Sequence, residues 1–191
     1  RSSDLGVAKV GAFLNSSFSG SYVDATALAR GAGITADNTI SQTRQTRIKY
    51  GYYVNLQQEL SENVGAFARW SWNNGQTEIM SFTDIDQSLS GGLSIKGRSW
   101  GRPDDRVGLG GAINWVSDPH RNFFAAGGLG PLVGDGQLPN YTPEKVIESY
   151  YAFQMTKGLV ITADYQLLLN PAYNGDRGPV HVFSGRLHAS F

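Results

Sequence analysis

Side chains that donate, accept and stack recur at alternate positions along this chain. Arg47, Lys49, Tyr53 and Glu59 share one parity within Arg47–Leu60, and Phe67 and Arg69 share one in the next periodic stretch. Arg106, the pair Glu148 and Tyr150, then Asp164, then Arg186 follow on the polar parity of later stretches. Arginine presents a rigid fork of donors, carboxylates accept, and aromatic rings offer faces for stacking. Both charge signs are present, which suits a neutral, hydroxyl-rich solute better than an ion, because an ion would want one sign. The competing reading treats the same residues as a structural ladder of charges across a wall, never touching a solute.

The elements that must position these groups are strands. In RIKYGYYVNLQQEL, Ile48, Tyr50, Tyr52, Val54 and Leu56 point one way, and Arg47, Lys49, Tyr53, Asn55, Gln57 and Glu59 the other. That is period 2, which a helix cannot present. Charged side chains along the whole polar face point to an apolar face against lipid and a polar face lining a water-filled lumen. The alternation predicts eight strands: Leu5–Asn15, Arg47–Leu60, Val64–Asn73, Ser88–Lys96, Arg106–Trp115, Glu144–Met155, Leu159–Asn170 and Val180–Phe191. The fold class expected is all-β, a transmembrane antiparallel β-barrel, with residues 1–191 as a single domain.

The connections alternate in length. Residues 16–42 and 117–142 read as long loops, with one possible helical turn at Ala25–Ala29. The stretches at Leu60–Asn63 and Thr156–Gly158 read as minimal turns, and Gly97–Asp105 as a compact turn. Outer-membrane barrels have long extracellular loops and short periplasmic turns. Placing the short turns in the periplasm puts every long loop outside and both chain ends in the periplasm. Trp70, Trp72 and Trp115 then face outward at the extracellular strand ends, as an interfacial aromatic girdle would.

Composition narrows the alternatives. Of 191 residues, 16 are basic and 16 acidic, so bulk charge does not suggest a nucleic-acid partner. Charged residues make up 17%, below the globular average of about 25%. No apolar run approaches the roughly 20 residues a membrane helix needs, which leaves a barrel open because its strands alternate. The absence of cysteine excludes disulfides and thiol catalysis. The chain begins at Arg1, as expected of a processed or truncated polypeptide.

No motif points to catalysis, a metal or a cofactor. His120, His181 and His188 lack metal-ligand spacing. Ser117-Asp118-Pro119-His120 has no nucleophile elbow with it. The glycine clusters at 108–111 and 127–130 lack the following helix of a phosphate loop, and strand glycines read instead as places of bending or close approach. In WGRPDD, Asp104 and Asp105 read as turn-locking groups that cap local N–H groups and pair with Arg102 or Arg106.

The last strand ends in Phe191 with Ala189, Leu187, Gly185 and Phe183 on one face, which resembles the assembly signal of bacterial outer-membrane proteins. WGRPDD at Trp100–Asp105, NPAYN at Asn170–Asn174, RGPV at Arg177–Val180 and RLH at Arg186–His188 make the chain similar to the C-terminal half of the carbohydrate-selective porin family (OprB-type). The resemblance runs from about Arg44 onward. It implies a sixteen-stranded outer-membrane barrel passing small sugars such as glucose by diffusion, with no cofactor and no enzymatic activity. Family members are about twice this length, so the eight strands correspond to half a barrel. An eight-stranded barrel would be filled by its own side chains, whereas porins of 16–18 strands leave a channel. The partners expected are small sugars, outer-membrane lipid or lipopolysaccharide, and a homo-oligomer. The residues expected along the lumen path are Arg47, Lys49, Tyr53, Glu59, Phe67, Arg69, Arg106, Glu148, Tyr150, Asp164 and Arg186. Two other readings remain: a non-transporting outer-membrane anchor or adhesin, and a soluble all-β carbohydrate-binding module.

Overall fold

Eight antiparallel strands form one sheet in chain order: β1 (Val7–Ser19), β2 (Gln45–Ser61), β3 (Val64–Asn73), β4 (Gln87–Gly97), β5 (Arg102–Trp115), β6 (Glu144–Thr156), β7 (Leu159–Leu169) and β8 (Val180–Ala189). This computed structural model describes residues 6–80, 83–131, 133 and 137–190. Leu5 and Phe191, expected in the first and last strands, lie outside the described residues. Among the described residues β1 pairs only with β2, and β8 only with β7, so each carries one unpaired backbone edge.

Register fixes which residues share a face, because directly opposed residues point the same way. One row reads Leu56, Ala68, Gly91, Gly111, Ile147, Leu167 across β2 to β7. The parallel row on the other face reads Gln57, Phe67, Gly92, Gly110, Glu148, Gln166. The two faces separate as the alternation predicts. On the apolar face, Tyr52 packs its ring against Trp70 and Trp72, at centroid distances of 5.4 and 5.0 Å.

None of the buried apolar side chains among the described residues comes from a strand. Val10 and Leu14 of β1 and Phe183 and Leu187 of β8 are two-thirds or more exposed, and Leu56, Leu89, Leu109 and Ile147 remain exposed in between. Such a face is far larger than the apolar patches water-soluble monomers tolerate. Hydrocarbon is the solvent that makes it stable.

The apolar core sits instead in the connections. After β1 comes α1 (Tyr22–Ala32), then α2 (Asp37–Ile40); α3 (Asp118–Ala125) follows β5. Residues 16–42 and the described part of 117–142 are therefore not the irregular loops expected, and β1 itself runs four residues beyond Asn15 to Ser19. The Ala25–Ala29 turn is one part of an eleven-residue helix. Ser21 caps α1 by accepting from the Asp24 N–H at 3.2 Å, and Gly33 ends it in the left-handed conformation, φ 67°. Ser117 caps α3 the same way, accepting from the His120 N–H at 3.2 Å. Short helices of this kind depend on packing. Here Tyr22, Ala25, Ala29, Phe123, Phe124 and Tyr173 bury one another.

The polar centre of this cap is His120, which is fully buried. Its Nδ1 lies 2.9 Å from Asp86 Oδ2, its Nε2 3.7 Å from Asp84 Oδ1, and its ring stacks on Tyr22 at 4.2 Å. Asp86 Oδ2 also accepts from the Ser117 N–H at 2.9 Å, and Lys49 of β2 brings its ammonium to 3.9 Å from Oδ1. Tyr173 donates its hydroxyl to the Asp84 backbone carbonyl. The strand-edge segment before β4 is thereby locked to both helical connections and to β2.

Gly97–Asp105 is likewise more regular than a turn. A 3-10 turn over Arg98–Trp100 leads into β5 at Arg102, opposite Gly97 across a register shift. Asp105 does pair with Arg102, through Nε at 2.5 Å and Nη2 at 3.1 Å, but its other partners are distant in sequence. It accepts from Tyr151 Oη at 2.5 Å and from the Gln154 N–H at 2.9 Å, so it joins β5 to β6 rather than capping its own turn. Asp104 remains exposed.

Two predictions follow from this architecture. Val54→Arg or Leu167→Arg puts a charge on the hydrocarbon face and should cost about 2–4 kcal/mol near the midplane; Asn55→Arg and Gln166→Arg on the polar face should cost far less. Urea titration of the folded protein in vesicles measures the difference, and equal damage on both faces contradicts the assignment.

The second concerns Asp86. Burial pushes its carboxyl up, but hydrogen bonding and charge from His120, the Ser117 N–H and Lys49 outweigh burial and hold it below the ordinary carboxylate value. A carboxyl depressed in the folded state contributes stability that is present above its unfolded pKa and lost as pH falls through the folded one. The cap should therefore resist protease at neutral pH and open only below about pH 3.9. Asp86→Asn strands Lys49 and should weaken the cap by about 3 kcal/mol at neutral pH, read as cleavage within residues 117–131. Undiminished protection in the variant contradicts the role given to this carboxylate.

Candidate functional site: the polar wall

The polar wall is built by β1 to β8 presenting every second residue to one side, and its charges fall into two groups. At the end where the helical connections lie, basic residues are engaged. Arg44, just before β2, grips Glu78 with Nε at 2.9 Å and Nη2 at 2.7 Å. Burial raises the Glu78 carboxyl, but Arg44 and the Gly20 N–H outweigh it, and the net direction is down. Arg47 Nη2 donates to Asp24 Oδ2 at 3.0 Å and to the Thr43 carbonyl at 3.1 Å. Lys49 is held by Asp86. Three successive basic positions thus tie the acidic residues of the connections to β2.

The second group lies lower on the wall and is differently disposed. Arg69, Arg106, Glu148, Glu59 and Arg186 are exposed, and none makes an ion pair among the described residues. Asp164 is intermediate: its Oδ2 accepts from Gln166 Nε2 at 3.2 Å and from Ser184 Oγ at 2.9 Å. Arginine donors and carboxylate acceptors without ionic partners can exchange hydrogen bonds with a passing solute. Arg47 and Lys49 already have their partners in the cap.

Gln57, Glu59, Phe67, Arg69, Ser94 and Arg106 surround an open recess of about 670 Å³. The recess brings together four of the residues singled out from the sequence. Gln57 and Ser94 join them; alternation places both on the polar parity, but neither carries a charge or a ring to draw notice. Glu148 lies on the same register row as Phe67, three strands away, with Gly92 and Gly110 between. Tyr53 lies at the cap end, its ring against Gly11 of β1. Arg186 stands on β8 opposite Thr162 and apart from the recess.

A second polar ladder crosses the wall nearer the cap. Ser88 Oγ donates to Asn114 Oδ1 at 2.9 Å, Asn114 Nδ2 donates to Glu144 Oε1 at 3.3 Å, and Glu144 Oε2 accepts from the Ala172 N–H at 3.0 Å. This ladder is structural: each partner is satisfied by the next, and it fixes the 3-10 turn at Pro171–Tyr173 against β6. Among the described residues no cluster of His, Cys, Asp or Glu could hold a metal ion.

Comparison with curated proteins finds no match. Among solved structures, the high-pH structure of Pseudomonas putida OprB superposes with a TM-score of 0.75 at 20% identity. The match covers 98% of this chain and 45% of that chain, so this chain spans less than half the length of the structure it resembles. The two share a fold over this chain's length. The family model described as carbohydrate-selective porin, OprB family, matches residues 5–191. On that match, over a two-faced sheet with a polar wall of both charge signs, the chain belongs to the carbohydrate-selective porin family.

Proposed function

We propose that this chain supplies half the wall of an outer-membrane channel through which small sugars such as glucose diffuse passively. The observation that carries the reading is the partition of charge on the polar face. Where the helical connections lie, Arg44, Arg47 and Lys49 are consumed by Glu78, Asp24 and Asp86. Lower on the wall, Arg69, Arg106 and Glu148 stand exposed without ionic partners. A neutral polyhydroxylated solute needs donors and acceptors together, and a conducting site must bind weakly enough to release. Arg69 and Arg106 donate to hydroxyl oxygens, and Glu148 accepts hydroxyl hydrogens. In this reading the helical connections lie at the extracellular mouth, and the turns at Glu62-Asn63 and Lys157-Gly158, with both chain ends, face the periplasm.

The anchor or adhesin alternative calls for long connections free at the surface to hold a partner. Asp24 and Asp86 are instead tied back to β2, which favours a mouth over an arm. The soluble-module alternative leaves the exposed apolar face without a solvent. The family and fold are those of a channel rather than an enzyme.

Liposome swelling with the complete barrel tests the proposal, comparing glucose with an organic anion of similar size. The wild type should admit glucose faster. Arg69→Ala combined with Glu148→Ala should widen the path and lower the preference about fivefold, the size of about 1 kcal/mol of hydrogen bonding. A wild type indifferent to the two solutes contradicts the sugar-channel reading. An undiminished preference in the double variant removes Arg69 and Glu148 from the path.

A further inference from the structure

Four aromatic rings stand on the polar face, and each lies over a glycine of a neighbouring strand. Phe13 and Tyr53 cover Gly51 and Gly11 in a reciprocal pair near the cap. Lower down, Phe67 of β3 lies over Gly92 of β4 and reaches Gly110 of β5, while Tyr150 of β6 lies over Gly108 of β5. A Cβ at Gly92 would stand 2.7 Å from Phe67 Cε1, and one at Gly108 only 2.1 Å from Tyr150 Cε1. Only glycine lets these rings lie down on the wall. They come from opposite sides onto β5, where Gly108 and Gly110 are two residues apart on one face.

The two rings differ in what they carry. The Arg69 guanidinium lies over Phe67, its Cζ 5.0 Å from the ring centroid. Tyr150 has no aromatic or cationic neighbour on its ring among the described residues. Exposed Glu148 precedes it by two residues on the same face, and Asp164 stands opposite it in register, held by Gln166 and Ser184. Between Phe67 and Glu148 the row contains only Gly92 and Gly110, over about 14 Å at three strand spacings. The Phe67 ring lies over Gly92 and its tip reaches Gly110, so the wall stays open to a ring-shaped solute on the Glu148 and Tyr150 side of that ring.

We infer that Tyr150, laid flat by Gly108, is a stacking site for the apolar face of a pyranose, with Glu148 accepting from its hydroxyls. Phe67 is a positioning residue that holds Arg69 as a donor across the glycine strip. The inference rests on the sugar-channel reading and assigns that channel a particular place of contact. Aromatic rings over strand glycines also shield backbone and stabilise pairing, so the test must separate stacking from support.

The experiment reconstitutes the complete barrel in planar bilayers and reads interruptions of ion current by added glucose. Tyr150→Leu removes the ring face and should weaken glucose block about three- to tenfold, while Tyr150→Phe should keep it. Gly108→Ala displaces the ring and should weaken block to a similar extent. Gly110→Ala, whose Cβ meets only ordinary contacts at 3.6 Å and beyond, should not. Phe67→Leu should loosen Arg69 and weaken block, and should do nothing further once Arg69→Ala is present. Heat-modifiable migration on detergent gels reports folding separately. If Tyr150→Leu changes only that stability and leaves glucose block at the wild-type value, the stacking site is overturned and the channel reading stands. If the wild type shows no glucose block and no preference for glucose in vesicles, the channel reading falls first.

Discussion

In hydrocarbon a backbone N–H or C=O without a partner costs several kcal/mol, and this requirement governs the whole chain. It explains why eight strands pair in strict chain order with only local register shifts near strand ends, at Glu59/Ser61, Lys96/Gly97 and Gln154/Thr156. It also explains why the strands need no core beneath them: their apolar side chains face lipid, and their polar ones face water. The open edges of β1 and β8 are the places where this requirement is unmet by the described residues. A barrel meets it by closure, and the match to under half of a larger porin structure gives the scale of that closure.

Because no strand side chain joins the buried apolar set among the described residues, the compact core is built from connections. The cap achieves this with short helices, a capping serine at the start of α1 and of α3, and the Tyr22–His120–Phe124 ring cluster at its centre. Its attachment to the barrel is mainly ionic and polar. Glu78, Asp24 and Asp86 meet Arg44, Arg47 and Lys49, and so the upper wall gives its charge to architecture while the lower wall keeps its own.

What the sequence made legible follows from what alternation encodes. Period 2 reports local pleat, and β3 was readable to the residue, while the apolar and polar assignments of Val54, Asn55, Phe67 and Arg69 hold across the register. The helical connections were not readable because α1 has low helical periodicity of its own; its stability comes from Phe123 and Phe124, a hundred residues away in no local pattern. The division of the polar-face residues was equally hidden. Arg47 and Arg69 look alike in sequence, and only the fold brings Asp24 to one and leaves the other to water. Asp105 was read as a local cap since its nearest basic neighbours adjoin it, whereas Tyr151 and Gln154 reach it only once β5 and β6 are paired.

The Asp105 cluster has a kinetic side. β2–β3 and β6–β7 are joined by turns of two residues, and their pairing is local. The pairing of β5 with β6 must instead be closed across everything between Trp115 and Glu144, and closure entropy grows with such an excursion. Asp105, Arg102, Tyr151 and Gln154 fasten this pair at the end farthest from that connection, while α3 and Tyr173 gather the connection itself. The least local pair of neighbouring strands is thus fastened at both ends, like a long seam tacked before it is sewn.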